Sequence, residues 1–209
     1  MSNRNESKHT DHHAETQDTY HFSFDASATR VLAMTETDDG RLKNKSLQGW
    51  KFDVKTDADG DAVAVSRTQT QRGVVKTERY EDVDGDGAFV ETFSSEVLTA
   101  TASILRADKA RFTLDSQGKV LTMQELSKGR WKTEHLDLDE RLETMAIDGL
   151  KYVVKVELDD NATEWNLYRD DNGDGIWTEV AQIESSTTDS LVKLVGLSDL
   201  LALSVGVVG

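Results

Sequence analysis

The chain has 209 residues, carries 39 acidic against 24 basic side chains for a net charge of −15, and contains neither cysteine nor proline. That length suffices for one large or two small domains, either with a sizeable core. The charge argues against nucleic acid and anionic lipid as partners, since both repel an acidic surface; missing thiols exclude disulfides, thiol catalysis and thiolate metal sites.

Residues 1–18 are polar and low in hydrophobicity, the composition of a disordered tail, with no apolar segment resembling a cleavable signal peptide. His9, His12 and His13 lie close together there. A flexible tail is the expected state, with a weak transition-metal site as the alternative. From Tyr20 onward, short alternating runs (Phe22-Ser23-Phe24, Val31 to Met34, Trp50-Phe52-Val54, Ala62 to Val65) are broken by Gly, Asp and Asn turns. This period-two pattern predicts antiparallel strands in a meander.

The pattern is then written a second time. Phe22-Ser23-Phe24-Asp25 matches Phe112-Thr113-Leu114-Asp115, Val31 to Glu36 matches Val120 to Glu125, and Asp59-Gly60 falls against Asp148-Gly149, at an offset of about 89. A repeat this long is a duplicated set of hairpins rather than a solenoid period. The expected organisation is a first copy over 19–98, a linker over 99–110 and a second copy over 111–186, with about six strands per copy. The fold class is all-β and antiparallel, as a sandwich, a barrel or a pair of small domains. Two departures are expected. Leu138, Leu142 and Met145 sit at helical spacing, which predicts a short helix near 138–146. In the apolar segment 187–209, Asp189-Ser190 is placed to cap a helix carrying Leu191, Leu194, Val195, Leu197, Leu200 and Leu201. Lys193 and Asp199 argue against a transmembrane reading of it.

The most informative stretch is Tyr80 to Glu91, repeated as Tyr168 to Glu179 in the pattern Tyr-x-Asp-x-[Asp/Asn]-Gly-Asp-Gly-x-[Phe/Trp]-x-Glu. Acids on alternate positions with Gly at a sharp turn suit a hard cation that takes several oxygens. The candidate side-chain ligands are Asp82, Asp84 and Asp86 in the first loop and Asp170, Asn172 and Asp174 in the second, with the carbonyls of Ala88 and Ile176 as backbone ligands. These dozen residues resemble EF-hand and EF-hand-like loops, which implies calcium. The sequence departs from the EF-hand at position twelve, where Phe93 and Ala181 stand in place of the closing Glu. Its acids come two residues earlier, at Glu91 and Glu179, on what read as strands. The loops are therefore similar to calcium hairpins of bacterial secreted β proteins. Glu91 and Glu179 are candidate closing ligands, with solvation or a salt bridge as the alternative. Asp57 to Asp61 is a weaker echo, expected to be a turn.

No Gly-x-Ser-x-Gly elbow occurs, and His21 and His135 sit in no triad or zinc spacing. The expected function is calcium binding by an extracellular or cell-surface β protein, structural or adhesive. The acidic composition, absent Cys and apolar tail also resemble type I-secreted repeats-in-toxin proteins, which implies an uncleaved C-terminal export signal, although their Gly-Gly-x-Gly-x-Asp repeats are missing; a docking helix or strand that covers a sheet edge is the alternative for 187–209. Two alternatives stand beside this. One is a glycan-binding module using Trp50, Trp131, Trp165 and Trp177 as a platform; the other is a polysaccharide-acting enzyme with paired carboxylates.

Overall fold

The structure is a computed structural model that describes residues 18–99, 108–159, 162–186 and Leu201. The expected disordered tail with its histidines, most of the linker and nearly all of the C-terminal segment lie outside the described residues. The first copy contributes β1 (Thr19–Phe24), β2 (Val31–Asp38), β3 (Arg41–Asn44), β4 (Lys51–Thr56), β5 (Ala62–Gln71), β6 (Val74–Glu81) and β7 (Phe89–Leu98). The second contributes β8 (Lys109–Leu114), β9 (Val120–Ser127), β10 (Arg130–Thr133), β11 (Glu140–Ile147), β12 (Leu150–Leu158), β13 (Thr163–Arg169) and β14 (Trp177–Ser185). Among the described residues each copy has seven strands where about six are expected, and these fourteen join in one antiparallel sheet that does not close into a barrel.

Turn chemistry sets much of the register. Four hairpins turn on two residues, both with positive φ: Asp39-Gly40, Arg72-Gly73, Lys128-Gly129 and Asp148-Gly149. Positive φ at both centres defines the type I′ turn, whose twist matches that of paired strands, and Gly at the second position takes it without a Cβ clash.

Within each copy the sheet branches at its last strand. One edge of β7 pairs along its length with β6; the other pairs first with β1 (Tyr20↔Phe89) and then with β14. β14 does the same with β13, β8 and β7. The wing β1–β3 thus faces the wing β4–β7, and side chains from both fill the space between: Tyr20, Phe22, Val31 and Met34 against Phe52, Val65, Tyr80 and Phe89. The second copy encloses Ala110, Phe112, Val120 and Met123 with Val153, Tyr168 and Trp177. The aromatic packing repeats too. Phe22 meets Tyr80 and Phe89 edge-on at 5.4 and 5.1 Å, and Phe112 meets Tyr168 and Trp177 at 5.4 and 5.7 Å.

The copies join through β7 and β14, where Ser95 pairs with Ile183. These are equivalent positions in the two copies, so a pseudo-twofold axis passes through that pair. A third cluster lies on the opposite face of the joined sheet, built from Tyr152, Val154, Val156, Trp165, Leu167 and Ile183, with Leu201 packed into it.

The helix expected near 138–146 is instead strand β11. Leu142 packs into the interior of the second copy, Met145 packs against the cluster on the other face, and Leu138 stands free in the preceding loop. Both faces of this strand meet apolar neighbours. Its hydrophobic residues therefore fall on odd and even positions alike and imitate a helical period.

Candidate metal centre

The repeated motif is anchored at its ends. Tyr80 and Phe89 are 0% and 2% exposed inside the first copy, and Tyr168 and Trp177 are buried in the same places of the second. The aromatic residues fix β6 to β7, and β13 to β14, so that the intervening Asp/Gly stretch projects from the end of each hairpin. Sequence reading named those aromatics as part of the pattern without giving them this role.

Within the first loop Asp82 accepts backbone N–H bonds from Gly85 at 2.8 Å and Gly87 at 3.0 Å, on its two carboxylate oxygens. Asp86 accepts from the Ala88 N–H at 2.7 Å. The second loop matches bond for bond: Asp170 accepts from Gly173 (2.8 Å) and Gly175 (3.0 Å), and Asp174 from Ile176 (2.7 Å). Gly85, Gly87, Gly173 and Gly175 all take positive φ, which bends the backbone inward around the acids.

Such turns alone mark no metal. Asp57 caps its own hairpin in the same manner, with Asp59 and Asp61 N–H groups at 2.9 Å, and Asp115 does likewise. What separates the first motif loop is convergence. Ligand oxygens of Asp82, Asp84 and Asp86 all lie within 4.8 Å of one another, the one such acid, histidine or cysteine group among the described residues. Asp57 to Asp61 shows no such convergence and stands as the expected turn. Each carboxylate oxygen has two lone pairs, so the backbone bonds leave capacity for a cation. Three hard anionic donors on an exposed loop fit Ca²⁺.

In the second loop Asn172 replaces the middle acid. Its amide nitrogen donates to Asp174 at 3.0 Å while its oxygen accepts from the Asp174 N–H at 3.1 Å. An internal hydrogen bond here takes the place of a repulsion between carboxylates. Two further contacts, both invisible to motif reading, brace the loops. His21 Nδ1 lies 3.3 Å from the Gly87 carbonyl. Arg169, 4% exposed, ties Asp171 of the second loop (Nε–Oδ1 2.5 Å) to the Tyr152 hydroxyl (3.2 Å).

Glu91 and Glu179 do not join the loop acids. Each pairs in register with the motif tyrosine, Tyr80 or Tyr168, and points with it toward the interior of its copy. Burial pushes the Glu91 carboxyl up to about 7, reinforced by Glu78 and Glu184 and opposed by Lys76 and Arg67. Burial likewise pushes Glu179 up to about 7, reinforced by Asp108, Glu125 and Glu164 and opposed by Lys155. The neighbouring Glu78 behaves oppositely. Burial alone would raise it, but its bonds from Arg67 and Tyr80 hold it below the ordinary carboxylate range.

The four tryptophans fall into two pairs by exposure. Trp165 and Trp177 are core residues, while Trp50 and Trp131 are half-buried beneath Arg67 (4.2 Å) and Arg111 (4.1 Å). Among the described residues no helix is long and apolar enough to cross a membrane. No protein-family model, curated protein or solved structure matches the chain.

Proposed function

We propose that the protein is a calcium-binding β protein whose two motif loops each hold one ion, and that the ions act as structural clasps on the β6–β7 and β13–β14 hairpins. The observation that carries this reading is the convergence of Asp82, Asp84 and Asp86, on a backbone that the second copy reproduces around Asp170, Asn172 and Asp174. Bringing like charges together costs free energy in the ion-free chain. A divalent cation offsets that repulsion, so binding couples to folding. The loops leave on strands, which disfavours a sensor that works by swinging helices. Calcium at the concentrations found outside cells suits such exposed, few-ligand sites, and supports an extracellular or surface location with a structural or adhesive role.

The test is calorimetric titration with calcium beside thermal melts of the parent and of Asp84→Ala combined with Asn172→Ala. Binding in the parent, a melting temperature that rises with calcium, and loss of both in the double variant are expected. A parent that neither binds millimolar calcium nor melts higher in its presence would refute the reading.

A further inference from the structure

We propose that two molecules of this chain join in a twofold dimer along the free edge of β11, pairing antiparallel about Leu142. Among the described residues four strands pair on one side only: β3, β4, β10 and β11. An edge strand presents unpaired N–H and C=O groups, and proteins blunt such edges with short strands and with lysine. Three of the four are blunted. β3 and β10 have four residues each and carry Lys43 and Lys132; β4 has six, with Lys51 and Lys55. β11 has eight residues and no lysine, and is the one edge left unprotected in this way.

The ladder fixes which backbone groups are free. The turn Asp148-Gly149 closes on Ile147 and Leu150, the hydrogen-bonded ends of a four-residue turn. Bonded pairs alternate from there, so Arg141, Glu143, Met145 and Ile147 bond to β12. The Leu158 N–H, 3.0 Å from the Asp139 carbonyl, continues the same alternation. Glu140, Leu142, Thr144 and Ala146 therefore turn their backbone groups outward. They meet those of a second β11 only in registers that set even positions against even ones.

One such register suits the side chains. With Leu142 opposite Leu142 of the second molecule, each Arg141 lies across from a Glu143, and each Glu140 from a Thr144. Counting on, Leu138, fully exposed in the turn that enters β11, falls against the exposed Ala146. A step to either side sets Glu143 against Glu143 or Arg141 against Arg141, and like charges directly opposed destabilise a pair of strands. Charge decides the register, which matters in a chain whose net charge of −15 otherwise repels a second molecule. Arg141 and Glu143 bond each other within the strand at 2.6 Å, and with side chains 48% and 44% exposed both can reach across as well. An edge that meets itself closes as a dimer, so growth stops there.

Sedimentation equilibrium of the full chain should show reversible dimerisation in the micromolar range; a monomer at every concentration up to millimolar overturns the proposal. Thr144→Pro deletes one outward N–H and spares the β12 ladder, since an edge strand tolerates proline where its N–H points away. It should weaken the dimer by about tenfold or more while keeping the parent's circular dichroism. Arg141→Glu and Glu143→Arg, each alone, oppose like charges across the joint and should each weaken it by about tenfold. Mixed in equal amounts, these two variants should form heterodimers near the parent's strength. A dimer that neither charge variant weakens, or whose loss mixing does not reverse, overturns the proposal. Both charge changes lie on exposed side chains, so the mixing experiment decides the matter if Thr144→Pro unfolds the chain.

Discussion

Glu91 and Glu179 hold their protons more tightly in the folded chain than an exposed glutamate does, each up to about 7 against an ordinary 4.5. An acid with a raised folded value contributes stability that is fully present below its unfolded value and lost as pH rises through the folded one. In calcium-free buffer the melting temperature should therefore fall as pH increases from about 4.5 to about 7. The two groups together account for a few kcal/mol, on the order of 2 each after allowance for their partial exposure. Glu91→Gln removes one ionisation and should flatten about half of that slope while raising stability at pH 8. Melts at stepped pH values would detect it, and an unchanged slope would show that Glu91 is not held in this buried environment. Arg67 tests the opposite case. It is 6% exposed, bonded to Glu78, and stacked on Trp50. Arg67→Ala leaves the buried Glu78 carboxylate without its buried cation, held only by the Tyr80 hydroxyl at 2.5 Å and the more exposed Lys76 ammonium at 3.3 Å. A buried pair broken on one side costs about 3–5 kcal/mol. Urea denaturation should show a loss of about 3 kcal/mol, whereas Arg79→Ala, at the exposed pair with Glu81, should lose less than about 1.

The loops are the elements whose chemistry could be read most fully in advance, because an Asp/Gly hairpin keeps its donors within a dozen residues and needs no distant partner. Even so, Glu91 shows where local reading stops. Strand parity places it on the face of Phe89, but only the register with Tyr80 reveals that this face points into the copy's interior and away from the three aspartates. The misread helix at Leu138 to Met145 has the related cause that burial of both strand faces erases the period-two signal. The two loops also differ in a way that predicts unequal affinity. Calcium affinity follows the charge of the ligand set. The first loop offers three carboxylates; the second offers two and an Asn172 already bonded to Asp174. Titration should resolve a tighter first site and a weaker second one. Asp84→Asn should bring the first down toward the second, and Asn172→Asp should bring the second up. A single class of two equal sites in the parent would contradict this.

At the scale of the whole molecule, the duplication was legible as an offset but its consequence was not. Nothing in the sequence of β7 announces that its outer edge is shared, the first residues pairing with β1 and the later ones with the equivalent strand of the other copy. Edge sharing of this kind is set by where the wings end, and so by tertiary geometry rather than by any residue's preference. It has a thermodynamic consequence. With Val97 opposite Ala181 and Ser95 opposite Ile183, neither copy can unfold without stripping hydrogen bonds and apolar cover from the other. The two copies should therefore melt as one unit, with calorimetric and van't Hoff enthalpies in agreement. An ion bound only by the native state at about one hundred times its dissociation constant adds about 2.7 kcal/mol. For a chain of this size each kcal/mol corresponds to roughly 2–4 °C, so one filled loop should raise the single transition by roughly 5–10 °C. Asp84→Ala should remove the share of the first loop without splitting the transition, because the sheet carries each loop's stabilisation to both halves. Two separate transitions, only one of which responds to calcium in the variant, would mean that the β7–β14 junction does not couple the copies.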